Sequence, residues 1–374
     1  MLSNLAWSRL QAAACACVLC AVLVAALYPF NPIPRNNVTW LTNSAGLHFD
    51  WHGTVMSSRE FPPPVLAGFA SCSIELWAEA DPGVTSGTLL GFYNPGHPAS
   101  FIVRQYRQEL VFQRTLRTGL GEGQWTFMEV EAFHAGRPSV ITIVASPQAR
   151  AAYVDGILQE KSTRLAPICT SLTGWLVLGT SPVSDSGWRG TLHGLSIFGR
   201  DLSAAEVLND FHSWKENGRP STAANEDLRA LYLFDERAGD VVHNRAGNGP
   251  DLTIPNHYLV PFKPFLQAPW KEFRPTLDFL SDALVNVAGF IPFGFVFCSY
   301  FTTVRRLQRA QLITILLGFL VSLTVETLQG FLPTRGSGVT DIITNTAGTA
   351  IGTMLFRWRP IQALYSRFGI WTAQ

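Results

Sequence analysis

Glu326-Thr-Leu-Gln329-Gly-Phe-Leu-Pro333-Thr-Arg335-Gly-Ser-Gly-Val-Thr-Asp341-Ile-Ile-Thr-Asn345-Thr-Ala-Gly348 places carboxylates, amides and an arginine in the middle of an apolar run. Residues 283–301 and 312–332 on either side are each about long enough to cross a hydrocarbon core of ~30 Å as a helix, and residues 341–356 fall slightly short. Asn286, Glu326, Gln329, Asp341 and Asn345 lie inside these segments. Ionisable groups at membrane depth are costly and face a bundle interior or a cavity, which makes these residues the first candidates for function.

Residues three or four apart share a helix face. On that spacing Asp341, Asn345, Gly348 and Gly352 form one stripe and Gly318, Ser322, Glu326 and Gln329 a second. Asn286 and Gly289 form a third, just before a helix break expected at Pro292 and Gly294. Gly348 and Gly352 are a small-xxx-small pair that lets another helix approach closely. Arg335, on loop 333–340, is within reach of Glu326 or Asp341. The cluster fits two roles: hydrogen bonds and an arginine–carboxylate pair that hold a small bundle together, or an outward-facing polar pocket for the head group of a lipid, a lipid-linked sugar or an amphiphilic antibiotic.

The rest of the composition agrees with a membrane protein. Of 374 residues 47% are hydrophobic and only 15% charged, and the formal net charge of +1 comes with no basic stripe that would point to nucleic acid. Arginines instead cluster beside apolar runs, at Arg305, Arg306 and Arg309 and at Arg357, Arg359 and Arg367. The positive-inside rule puts both groups in the cytoplasm. An earlier apolar run, residues 6–30, reads as an uncleaved first span, being long for a signal peptide. Four spans with both termini inside then leave everything between the first two spans outside the cytoplasmic membrane.

That intervening region, residues 36–258, changes texture to short alternating runs broken by Gly, Pro, Asn and Asp, the pattern of a sandwich of antiparallel strands. In Cys72-Ser-Ile74-Glu-Leu76-Trp-Ala78-Glu every second residue is apolar, which turns Glu75, Trp77 and Glu79 outward. Further strands are expected near 88–93, 100–104, 109–113, 126–132, 140–145, 151–154, 175–178 and 192–198. Asp155-Gly156 suits a tight hairpin, and Ser203 with Glu206 forms a capping box opening a helix over 204–212. Residues 259–280, with interleaved prolines, aromatics, Lys263, Lys271 and Arg274, read as an extended connector in the headgroup zone. Cys72 and Cys169 are compatible with one disulfide in an oxidising compartment or with two buried thiols.

The candidate chemistry is sparse. Glu129 and Glu131 are the nearest pair to a glycosidase's two carboxylates, but alternation along one strand explains them as a solvated face. Histidines are scattered without metal spacing, and no Gly-x-Ser-x-Gly nucleophile motif occurs. Trp175 and Trp188 are candidates for stacking on a sugar. No catalytic residue and no cofactor is assigned.

The succession Asn286-Val-Ala-Gly289-Phe-Ile-Pro292-Phe-Gly294, Glu326-Thr-Leu-Gln329, Arg335, and Asp341-Ile-Ile-Thr-Asn345-Thr-Ala-Gly348 with Gly352 resembles the VanZ-like membrane family. The resemblance implies a small multi-spanning protein of the bacterial envelope and brings no reaction with it. Tyr153-Val-Asp-Gly156, Leu176-Val-Leu-Gly179, Trp188-Arg-Gly190 and Ile197-Phe-Gly-Arg-Asp-Leu202-Ser-Ala-Ala-Glu206 resemble a laminin-G or concanavalin A-type jelly roll. That likeness implies a binding domain and leaves room for calcium, with no ligands assigned. One departure is Leu231-Tyr-Leu-Phe-Asp-Glu-Arg-Ala-Gly239, which looks like an opening strand of such domains yet stands near the end. Together these features describe a jelly-roll sandwich inserted into a helical bundle of about four spans. The expected setting is the bacterial cytoplasmic membrane, with the lipid bilayer and an envelope glycan, glycolipid or surface protein as partners and a role in glycopeptide-antibiotic resistance or polysaccharide handling. The alternatives are an enzyme acting on a lipid-linked glycan and a small-solute transporter.

Overall fold

A computed structural model describes residues 4–62, 71–95, 97–118, 121–134, 136–163, 169–224, 227–247, 249–273 and 277–367. Arg274 of the expected connector lies outside them. The chain divides into two compact units, one of Met1–Pro32 with Pro264–Gln374 and one of Ile33–Lys263.

The second unit is a sandwich of two antiparallel sheets. In chain order its strands are β1 (Val38–Trp40), β2 (Leu47–Phe49), β3 (Val55–Ser57), β4 (Cys72–Ala80), β5 (Ser86–Asn94), β6 (His97–Tyr106), β7 (Glu109–Thr118), β8 (Gly121–Glu131), β9 (Ser139–Ala145), β10 (Arg150–Val154), β11 (Ile157–Ser162), β12 (Trp175–Leu178), β13 (Gly190–Phe198), β14 (Leu228–Tyr232), β15 (Val241–Val242) and β16 (Leu252–Thr253). One sheet runs β1-β2-β13-β4-β9-β10-β11 and the other β15-β16-β3-β12-β5-β6-β7-β8. Strand β14, which carries the start of the displaced motif, pairs with the Leu195–Phe198 half of β13, while β2 pairs with the Gly190–Leu192 half. Early and late strands therefore share one edge of β13, and the sandwich is closed from both ends of its sequence.

Alternation places Ile74, Leu76, Ala78, Ile141, Ile143, Leu195 and Ile197 in the core between the sheets. Cys72 and Cys169 are joined by a disulfide with their Cα atoms 5.6 Å apart. Asp155 and Gly156 take φ of 50° and 77°, the positive values a two-residue hairpin demands.

The outer face of the first sheet departs from expectation. Glu75 does not meet solvent but is fully buried. Helix α1 (Asn4–Leu27) belongs to the other unit; α2 (Ala204–Asn217), opened by the Ser203–Glu206 capping box, lies over this face and drives Trp214 onto it. Gly194 makes room, since a Cβ there would stand 2.3 Å from the Trp214 ring. Trp214 Nε1 donates to Glu75 Oε2 at 3.0 Å, and Ser196 Oγ donates to the same oxygen at 2.8 Å. Burial, then the nearby Asp210 carboxylate, pushes the Glu75 carboxyl up to about 8.

The first unit consists of α1, α3 (Leu277–Thr303), α4 (Ala310–Gly330), α5 (Val339–Arg357) and α6 (Arg359–Arg367). Among the described residues three helices are long and apolar enough to cross a membrane: Leu5–Leu27, Phe279–Thr303 and Ala310–Gly330. Helix α5, at 19 residues, is long enough to match them but carries Asp341, Asn345 and a series of threonines. Helix α3 runs through Pro292 without breaking, which corrects the expected interruption. The proline side is exposed, and helices in bundles tolerate a proline where neighbouring groups re-satisfy the freed carbonyl.

Candidate functional site

Glycines set the spacing of the site. A Cβ on Gly348 would stand 2.2 Å from the Val287 carbonyl oxygen and one on Gly352 2.2 Å from that of Ile291, so α5 lies directly on the α3 backbone. From α3 the reciprocal contact is Gly294 against Thr349, and from α4 it is Gly318 against the same threonine. Gly289 does not share this role. It is exposed, with nothing within 4 Å of where its Cβ would be, because the α3 backbone that meets α5 is presented by Val287 and Ile291.

This approach aligns the polar residues. Asn286 Nδ2 donates to Asp341 Oδ1 at 2.8 Å, and Asn345 Nδ2 donates to Ser322 Oγ of α4 at 2.9 Å. The Asn345 Oδ1 atom is buried without a hydrogen-bond partner. Glu326, 2% exposed, accepts the Gly338 N–H at 2.9 Å through its carboxylate, while its carbonyl accepts from Ser337 Oγ at 2.9 Å.

Gly338 is the N-cap of α5 and brings no side chain to the free N–H groups of that helix start. Two carboxylates from elsewhere in the chain supply the acceptors. Besides Glu326, Glu272 accepts from the Thr340 N–H at 3.0 Å and from the Thr340 hydroxyl. Gln267 pairs with Gly338 in a parallel bridge, so residues 265–273 close over the start of α5 rather than merely connecting to it. Glycine at 338 leaves the space Glu272 occupies, since a Cβ there would stand 1.7 Å from Glu272 Oε1 and displace the carboxylate from Thr340. A helix N-terminus favours negative charge nearby, which gives Glu326 the stabilisation that sequence reasoning sought from Arg335. Arg335 donates instead to the Tyr28 carbonyl, and Gln329 Nε2 to that of Ala26 at 2.8 Å, so both tie α4 and its loop to the end of α1. Glu272, the member of this site that the sequence did not reveal, belongs to a region read as a connector. An acidic residue set directly between Lys271 and Phe273, with Trp270 just before them, was the available signal.

At the opposite end Gln11 Nε2 donates to Ser299 Oγ at 2.8 Å, and Ser299 donates to the Tyr365 hydroxyl at 3.3 Å. Here α1, α3 and α6 are knitted by a second, smaller polar group.

The sandwich residues singled out for sugar stacking separate. Trp188 is fully buried, its Nε1 donating to Gln105 Oε1 at 2.8 Å between Phe49 and Phe133, so it offers no face to a ligand. Gly190 leaves room for the indole and Gly87 lets the Trp188 backbone approach, which makes Trp188 a packing residue. Trp175 is partly exposed, with Nε1 donating to Glu60 Oε1 at 3.0 Å and its ring near Phe262. Glu129 and Glu131 face outward on β8, the edge of its sheet. Among the described residues no group of three or more His, Cys, Asp or Glu is placed to hold a metal.

Comparison with known proteins finds two matching regions, the second of which begins within the last strands of the sandwich. Residues 56–208 match the family model of the Concanavalin A-like lectin/glucanases superfamily, and residues 233–360 match that of VanZ/LLP1. No curated protein matches the chain. Among solved structures, a native heptameric SAP-like pentraxin from Limulus polyphemus is similar at 13% identity and a TM-score of 0.33, over 46% of this chain and 79% of the pentraxin. The binding domain of botulinum neurotoxin DC is similar at 13% identity and a TM-score of 0.33, over 48% of this chain and 45% of its own length. At such identities the likeness is one of fold alone. Residues 233–360 thus match the VanZ/LLP1 family, and the concanavalin A-like sandwich match at 56–208 precedes them in the same chain.

Proposed function

We propose that this is a bacterial envelope protein anchored in the cytoplasmic membrane by four spans, with both termini cytoplasmic and the sandwich extracytoplasmic, where it binds an envelope glycan, a glycolipid or a surface protein. Its role is accessory, in glycopeptide-antibiotic resistance or the handling of surface polysaccharide. The observation that carries the reading is the Cys72–Cys169 disulfide, since such bonds persist in oxidising compartments and are rare in the cytosol. The arginine groups beside the apolar helices support the same orientation. The concanavalin A-like family, which includes lectins, supports binding as the sandwich's task.

In the bundle, Asp341, Glu326, Glu272 and the unpaired Asn345 Oδ1 make an acceptor-rich group. It suits a ligand that donates hydrogen bonds, such as a sugar hydroxyl or an amine, and it repels phosphate. A second reading, in which the group only holds helices together, is supported by the direct Asn286–Asp341 and Asn345–Ser322 bonds. Full-length protein in nanodiscs, applied to an array of envelope glycans, tests the sandwich. Binding to a defined glycan class is expected, and absence of binding to every glycan would move the reading to a protein partner.

A further inference from the structure

Trp51 stands half exposed on the turn between β2 and β3, and its surroundings hold it there. Its N–H donates to Asp50 Oδ1 at 2.7 Å, its carbonyl accepts from Asn37 Nδ2 at 2.8 Å, and the next residue, His52, turns the chain with a φ of 66°. Arg189, just ahead of β13, lies over the indole with Cζ 5.6 Å from the ring centroid. That guanidinium is fixed in turn by Asp50 at 3.0 Å and Asp81 at 3.5 Å, and His48 Nε2 reaches Asp81 at 3.8 Å. The result is an aromatic ring covered on one side by a guanidinium that two carboxylates hold, with 51% of the tryptophan still open to solvent.

Stability does not account for this arrangement. Exposed ion pairs contribute about 0–1 kcal/mol, and a tryptophan left half in water forgoes much of the gain of burying it. The chemistry fits a sugar. An indole face is apolar and electron-rich and accepts the C–H face of a pyranose. Two carboxylates against one guanidinium leave the bracing group net negative, which disfavours uronates and phosphates.

We propose that the solvent-exposed indole of Trp51, braced from behind by Arg189 and its partners Asp50 and Asp81, is the floor of a subsite for a neutral pyranose. This rests on the reading of the sandwich as glycan-binding. The test uses the full-length chain in nanodiscs against neutral hexose and N-acetylhexosamine disaccharides and their uronate counterparts, each free and as glycolipid head groups in vesicles. The parent is expected to bind at least one neutral sugar, Trp51→Phe to stay within about threefold of it, and Trp51→Ala to lose about tenfold or more with an unchanged unfolding midpoint. Binding to the free disaccharide or only to the glycolipid both support the subsite and separate the two sources of the sugar. A parent that binds while Trp51→Ala binds equally well overturns the subsite and leaves the glycan reading standing. A preference for uronates that is lost in Arg189→Gln overturns it as well. A parent that binds no sugar overturns both.

Discussion

Glu326 is buried in an apolar helix and is met by the backbone N–H of Gly338 at the start of α5. Glu326→Gln keeps an oxygen for that N–H but removes the charge that the helix N-terminus favours, so the bundle should lose only about 0.3–1 kcal/mol of stability. If the acceptor group binds a ligand, Glu326→Gln and Asp341→Asn should each abolish the envelope phenotype at near-normal protein level, whereas Arg335→Gln, which only unties the loop from α1, should not. Loss of phenotype in step with loss of folded protein would favour the structural role. Glu75 gives a pH prediction in the sandwich. Its carboxyl titrates near 4.5 unfolded and at about 8 folded, so across that interval the fold holds a proton the unfolded chain has released. The stabilisation is complete below about pH 4.5 and is lost as the pH rises to about 8, amounting to a few kcal/mol. Unfolding midpoints measured from pH 5 to 8 should therefore fall for the parent, and Glu75→Gln should flatten the fall. Nothing in the alternation of Cys72–Ala80 announced this burial, because period two says which residues share a face and not what covers the face.

At the scale of elements, the seam between α3 and α5 should tolerate no side chain where backbone meets backbone. Gly348→Ala brings a methyl against the Val287 carbonyl and should destabilise the bundle by about 1–3 kcal/mol in a detergent melt. Gly289→Ala, with open space around it, should be neutral or stabilising by up to ~1 kcal/mol through helix propensity. Equal losses at both positions would contradict the seam. The Gly348 and Gly352 stripe was legible because spacing alone puts both on one face with Asn345. Gly289 was misread because the same rule does not say which face of α3 the partner takes. The long strands were legible, with β4, β9, β12 and β13 found within two residues of their expected ends. Strands such as β1, β3, β15 and β16, of two or three residues each, are too short to show alternation. They exist because neighbouring strands give them partners. Helix α6 escaped notice because Pro360 near its start looks like a stop, although proline suits the first turn of a helix.

Over the whole molecule, the two-part plan was readable from texture: long apolar runs against short alternating ones. How the sandwich closes was not, since β2 pairs across more than a hundred residues with the strand that β14 also joins. Orientation is the claim on which the proposed function turns. Reporter fusions after Asn36, Gln308 and Gln374 are expected to read outside, inside and inside. The most direct measurement uses the intact chain and its one disulfide, Cys72–Cys169, in cells quenched with acid and then denatured, because both cysteines lie in the core and cannot be labelled in the folded protein. Maleimide added in denaturant should leave both unlabelled without reductant and label them after it. Labelling of Cys72 and Cys169 with no need for reductant would put the sandwich in a reducing compartment and contradict the account.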